Sequence, residues 1–216
     1  MAKRTKKFNA KDWIKAYKEH LLQYGELAKD IKTLLHFTDQ HFVDFKTHFE
    51  DIELLESAIV CSYFEESLKV LAKDKNFNEL SSKEQHLAFL YVLMEVISND
   101  EIFLESMQQD KIKDPGFIFN VQKKLNKLNI NWGEIEGWKP EILEKLNLNP
   151  KQSIYVNHAI TCILFYLKDK SEEKQDTDAF IEKTTDLLFK LSDTSTLNSM
   201  LDLGKFMYSR SKASFS

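Results

Sequence analysis

The stretch NAKDWIKAYKEHLLQYGELAKDIKTLLHFTDQHFVDFKTHFE, residues 9–50, decides how this chain folds. Its apolar side chains recur three and four positions apart: Trp13, Ile14, Tyr17, Leu21 and Leu22, then Leu27, Ile31, Leu34 and Leu35, then Phe42, Phe45 and Phe49. Such spacing puts each set on one face of a helix. Gly25 stands where the first set ends, and glycine enters the left-handed conformation that closes a helix C-terminus without a Cβ penalty. A first helix is therefore expected from near Asn9 to Tyr24 and a second from about Leu27 to Leu35. Thr38 is expected to cap a third, with Asp39 favourably placed at the positive end of its dipole. That third helix is expected to turn a ridge of Phe42, Phe45 and Phe49 inward.

Outward from this stretch the helical pattern continues. Asp51 opens a longer helix with Leu55, Ile59, Phe64, Leu68 and Leu71 on one stripe, running to about Ala72. Ser81 and Glu84 have the spacing of a capping box, and they start a helix that is apolar almost all round from Leu87 to Ile97. A helix without a polar face has to be surrounded by others. Residues 111–150 hold all three prolines and three of the five glycines, so short helices and loops are expected there, including one over Phe117–Leu128. Pro150 sits near the start of a helix with Ile154, Ile160, Leu164 and Tyr166. After a charged linker from Lys168 to Asp176, helical patterns cover about Thr177–Leu191 and Thr196–Ser211. Only eight residues in 216 are Gly or Pro, and 43% are hydrophobic, which excludes sandwiches and glycine-rich nucleotide folds and predicts an all-α chain.

The net charge of −4 is unevenly distributed. Up to Glu50 there are ten Lys/Arg and seven Asp/Glu, a net +3, leaving −7 for the rest: a basic head on an acidic body. Lys3, Arg4, Lys6, Lys7 and Lys11 stand without an acid among the first eleven residues, as in an arm made for a polyanion; the plainer alternative is a solubilising tail. Cys61 and Cys162 form no CxxC pair, which fits a reducing compartment. The N-terminus lacks an apolar signal core. The longest apolar run is about half the ~20 residues of a bilayer span, so a soluble cytoplasmic protein is expected.

Helix, glycine stop, short helix, tight connection and short helix make the layout of a helix-turn-helix. Off the Phe ridge lie Gln40, His41, Lys46, Thr47 and His48. Gln40 suits bidentate pairing with adenine, and Lys46 suits guanine or phosphate. Asp39, Asp44 and Glu50 oppose phosphates unless turned away. His41 and His48 are about 10.5 Å apart along one helix, too far to share a metal ion. His158 and Cys162 are four apart, but no further ligand neighbours them, and a buried imidazole beside a buried thiol is the favoured reading. No P-loop, nucleophile elbow or H-E-x-x-H is present, so neither an enzyme nor a cofactor is expected. In the body, Glu95 interrupts an apolar run, and with Phe64, Phe89, Tyr91, Met94 and Phe103 it is a candidate lining of a ligand pocket; the alternative is plain core with Glu95 at a wet margin.

The segment Tyr24-Gly25-Glu26-Leu27-Ala28-Lys29-Asp30-Ile31, with Phe42-x-x-Phe45-x-x-His48-Phe49-Glu50-Asp51-Ile52-Glu53-x-Leu55, resembles the DNA-binding region of TetR-type transcriptional regulators. Lys83-Glu84-x-x-Leu87-x-Phe89, Thr177-Asp178-x-Phe180-Ile181-Glu182-Lys183 and Gly204-Lys205-Phe206 resemble a bacterial subgroup with a distinctive C-terminal domain. Two features depart from the family pattern: Leu35-His36-Phe37-Thr38 replaces the usual Ala-Gly-Val-Ser turn, and Lys46 stands where a tyrosine is common. The resemblance implies a TetR-like fold, with residues 1–50 as a three-helix DNA-binding domain and 51–216 as a helical bundle for dimerisation and ligand binding. It also implies a homodimer paired through its last two long helices, a palindromic operator, and release by a small apolar ligand. The residues expected at DNA are Lys3, Arg4, Lys6, Lys7 and Lys46 on phosphates and Gln40, His41 and Thr47 on bases, with Thr38 and His48 completing the set. The rival expectation is a TetR-fold protein that no longer binds DNA and carries a lipid or isoprenoid.

Overall fold

The structure of the chain, a computed structural model, describes residues 7–107, 109–126 and 150–191. Helix α1 spans Ala10–Tyr24. The side chain of Asn9 accepts from the backbone N–H of Lys11 and Asp12, and the Asp12 carboxylate accepts from the Asn9 N–H at 2.9 Å, a reciprocal capping box. Gly25 closes the helix at φ 74°, donating to the Leu21 carbonyl at 2.8 Å.

Helix α2 spans Ile31–Thr38, four residues later than the periodicity suggested. The cause is Asp30, whose carboxylate accepts from the Thr33 N–H at 2.8 Å and fixes the start; Leu27 and Ala28 remain in the connection, with Ala28 buried. Thr38 does not cap the third helix. Its hydroxyl donates back to the Leu34 carbonyl at 2.9 Å, and the left-handed Asp39, φ 52°, turns the chain. Helix α3 is only Phe42–Lys46, starting at His41 without a side-chain cap.

The expected Phe ridge is two rings wide rather than three. Phe45 and Phe49 are buried, but Phe42 is 51% exposed. Trp13, fully buried, is met edge-on by Phe8 at 5.0 Å and Phe45 at 5.1 Å, and Phe49 lies 5.8 Å from Phe45. Phe8 fills the place beside the indole that the sequence pattern gave to Phe42, and the first position of so short a helix overhangs its end.

The body is built on α4, Ile52–Leu71, capped by Asp51, whose carboxylate accepts from the Leu54 N–H at 2.8 Å. The helices that follow are α5 (Ser82–Ser98), opened by the Ser81/Glu84 capping box, α6 (Glu101–Ser106), α7 (Gln109–Ile112), α8 (Pro115–Leu125), α9 (Pro150–Tyr166) and α10 (Gln175–Leu191). Helix α4 packs on α1, α5 and α8, while α9 and α10 close over α5. Helix α5 is not enclosed on every side: Tyr91 and Glu95 mark a solvent strip along it. Buried residues form one cluster reaching from Trp13 through Phe64 and Leu90 to Ile163 and Ile181. The fold is all-α, with no strand among the described residues. No described helix is long and apolar enough to cross a membrane. The pattern over Thr196–Ser211 and most of the proline-containing segment lie outside the described residues.

Candidate nucleic-acid interface

On α3 the fold separates two faces. Phe45 points at Trp13 and Phe49, in the turn beyond, packs on Phe45, whereas Phe42, Val43, Lys46 and Thr47 form an exposed outer face. Phe42 and Lys46, and Val43 and Thr47, are four apart and Val43 and Lys46 three apart, so they are neighbours on a helical surface. The Lys46 ammonium lies 5.3 Å from the centre of the Phe42 ring and also donates to the Glu50 carbonyl. Thr47 donates its hydroxyl to the Asp44 carbonyl at 2.7 Å.

The remaining candidates surround this face. His41 is exposed at the start of α3, and Gln40 is half-buried in the turn before it. His48 donates from Nε2 to the Phe8 carbonyl at 3.1 Å, tying the N-terminal arm to the end of α3. The Lys7 ammonium lies 3.6 Å from Asp44 Oδ1, so the one carboxylate in the middle of α3 is drawn sideways to the arm and is only 17% exposed. Asp39 and Glu50 remain exposed. Thr38 is half-buried with its proton committed to Leu34. Lys3, Arg4 and Lys6 lie outside the described residues.

Polar groups that the sequence reading did not single out join α1 to the body. Tyr17 donates its hydroxyl to Glu56 Oε1 at 2.7 Å, and the other oxygen of this buried carboxylate pairs with Lys111 of α7. Burial first, and then the Glu56 charge, push the Tyr17 pKa far up, so the phenol stays a donor. Lys18 pairs with Asp100 between α5 and α6, with its ammonium 5.0 Å from the Tyr63 ring centre. The signal for Glu56 was a lone carboxylate inside Leu54-Leu55-Glu56-Ser57-Ala58-Ile59-Val60; burying an unpaired charge is costly, so a partner was required.

In the body, Phe64, Phe89, Met94 and Phe103 are buried, with Phe64 and Phe89 ring centres 5.6 Å apart. Tyr91 is 36% exposed and donates to Glu182 at 3.2 Å, while Glu95 faces solvent. A cavity of about 350 Å³ lies at the junction of α1 with α5 and α6; Phe103 lines it, together with Lys18, Leu22, Asp100 and Ile102, and the other five candidates do not.

His158 bonds a partner other than the neighbouring Cys162. Thr184 gives its hydroxyl proton to the Phe180 carbonyl at 2.7 Å, so the His158 Nε2–H donates to Thr184 at 2.8 Å. His158 Nδ1 must then accept, at 2.8 Å, from His86 Nε2–H. Burial, and then the neighbouring imidazole, lower His86 to about 3; burial lowers His158 to about 4. Both rings are neutral and their tautomers are fixed by the chain of donors.

Residues 135–207 match a family model described as the tetracyclin repressor-like, C-terminal domain. The matched stretch takes in all of α9 and α10. No curated protein and no solved structure is significantly similar to the chain.

Proposed function

We propose that this chain, a TetR-family protein by its C-terminal match, is a ligand-responsive transcriptional repressor that binds a palindromic operator as a homodimer. The observation that carries the reading is the outer face of α3, which is exposed while Phe45 and Phe49 anchor the helix from behind and Lys7 draws Asp44 aside. Lys3, Arg4, Lys6, Lys7 and Lys46 engage phosphates, gaining affinity by displacing condensed counterions. Gln40, His41 and Thr47 address base edges, and His48 supports them by tying the arm to the end of α3. Thr38 supports the turn beside them.

In this reading residues 1–50 bind DNA in the cytoplasm and residues 51–216 dimerise and hold a small apolar ligand. The candidate contacts are Phe64, Phe89, Tyr91, Met94, Glu95 and Phe103, of which Phe103 lines the cavity between α1, α5 and α6. One three-helix module reads only a few base pairs, so pairing two about one helical turn apart supplies both affinity and symmetry. The ligand releases DNA by favouring a dimer with mismatched half-site spacing, and it shifts that balance only by its differential affinity for the two geometries. Tyr17, Glu56 and Lys111 connect the two ends of that balance, because they join α1 to α4 and α7.

The test is a gel shift of the full-length protein against genomic fragments over a salt series. Retention of fragments sharing a palindrome, with affinity falling steeply as salt rises, is the expected result. Retention of none at low salt, with a lipid found in the purified protein by mass spectrometry, would replace the repressor with a helical carrier.

A further inference from the structure

The exposed apolar pair on α3 is the feature of this interface that phosphate contacts and polar base readers leave unexplained. Phe42 is 51% exposed and Val43 71% exposed, and both lie on the face that also carries Lys46 and Thr47. An apolar surface flanked by cations is matched to a partner that is anionic around its margin and apolar at its centre. The Lys46 ammonium sits over the Phe42 ring, and Lys7 borders the same helix, where it pairs with Asp44. A DNA major groove meets that description at one kind of site: phosphates form the walls, and the thymine C5-methyl is the apolar group that a base pair presents on the floor.

We infer that Phe42 and Val43 read thymine methyl groups, so that the operator carries thymine opposite the start of α3 in each half-site. The inference rests on the DNA-binding reading and deepens it. Phe42 and Val43 open the helix, and the first residues of a recognition helix are those that reach base edges. Their carbon surfaces offer nothing to donor or acceptor groups, so adenine, guanine and cytosine edges would be desolvated against them without compensation. A thymine methyl there covers carbon on both sides. Each methyl transferred from water is worth about fourfold in affinity, equivalent to about 0.8 kcal/mol. One per half-site gives about fifteenfold for a dimer.

The experiment uses full-length protein and two randomised duplex libraries, one made with thymine and one with deoxyuridine in its place. Deoxyuridine pairs in the same way and lacks only the methyl. Duplexes selected from the thymine library are resynthesised with deoxyuridine and titrated against wild type and against a Phe42→Ala/Val43→Ala variant, whose fold is checked by circular dichroism. The expected result is about a fifteenfold loss on methyl removal for wild type and less than twofold for the variant. Equal wild-type affinity for the two duplexes overturns the methyl reading and leaves DNA binding standing. A loss that persists in the variant also overturns it, since the methyl then acts through other residues. Binding of neither library at low salt overturns both this inference and the repressor reading beneath it.

Discussion

Around Trp13 the neighbouring rings are hydrocarbon: Phe8 and Phe45 meet it edge-on, and Phe49 lies behind Phe45, tilted against it. Around His86 the neighbours are Tyr155 at 4.5 Å, Phe189 at 6.2 Å and a second imidazole, His158, to which His86 is hydrogen-bonded. The first cluster holds α1, α3 and the arm mainly by burial, with the His48 bond to the Phe8 carbonyl and the Lys7–Asp44 pair at its solvent edge. The second holds α5 to α9 and α10 by burial plus a directional chain of donors. The difference is one of sensitivity. Hydrocarbon packing is indifferent to pH and intolerant of lost volume, whereas neutral buried imidazoles depend on pH because protonation would leave a charge without solvent.

The sharpest way to break the first cluster is Trp13→Ala. The indole N–H has no hydrogen-bond partner among the described residues, so the cost is that of packing, about 3–5 kcal/mol for a fully buried ring. Amide exchange should accelerate first in α1 to α3. Uniform acceleration along α9 and α10 as well would show that the two clusters unfold together and that the contrast between them is not an energetic one.

A smaller effect belongs to the second cluster. The folded-state values of His86 and His158, about 3 and about 4, lie below the unfolded histidine value near 6.5. Above pH 6.5 neither state binds the extra protons and the pair has no pH dependence. Between 6.5 and about 4 the unfolded chain binds protons that the folded chain refuses, so stability falls as pH falls. At pH 5 the imidazole of His86 accounts for about 2 kcal/mol of that loss. Denaturant titrations at pH 7 and pH 5 should show a wild-type loss that is about 2 kcal/mol smaller in His86→Phe. Parallel losses in the two proteins would mean that other groups govern the acid limb.

These two clusters were not equally legible. Periodicity identified Trp13, Phe45 and Phe49 as core because a helical stripe is a local property of the sequence. It also put Phe42 in the core, and there it failed: whether the first residue of a five-residue helix faces in or out is decided by what else fills the space, and Phe8 comes from the arm, 34 positions earlier in the chain. Asp30 displaced the expected start of α2 because a cap outweighs a stripe at a helix end. The His86 to His158 bond joins residues 72 apart, and no local pattern reports such a pairing. For the interface, the polar candidates Gln40, His41, Lys46, Thr47 and His48 were readable as the residues left over from the stripe. The apolar pair Phe42 and Val43 became visible only when α3 proved short. The single Glu56 was readable as a charge needing partners, but Tyr17 and Lys111 are supplied by tertiary packing.

The smallest effect concerns the boundary between α1 and the turn that leads to α2, where the contrast can be sharpened without touching either cluster. Gly25 lies at φ 74°, and a Cβ built there meets nothing within 4 Å. Any cost of Gly25→Ala is therefore conformational, since no atom has to move aside, and the left-handed region costs an L-residue about 1 kcal/mol. Asparagine tolerates that region better than alanine does, so Gly25→Asn should cost about half as much. Both variants should leave the pH 7 to pH 5 loss of the His86 cluster unchanged, because the strain is paid in the backbone at the end of α1. Equal costs for Ala and Asn would point to a lost water contact or an altered unfolded chain in place of backbone strain. A changed acid limb would mean that the turn after α1 is coupled to the distant imidazoles through the shared core, and the separation of the two clusters would then be one of chemistry without being one of energy.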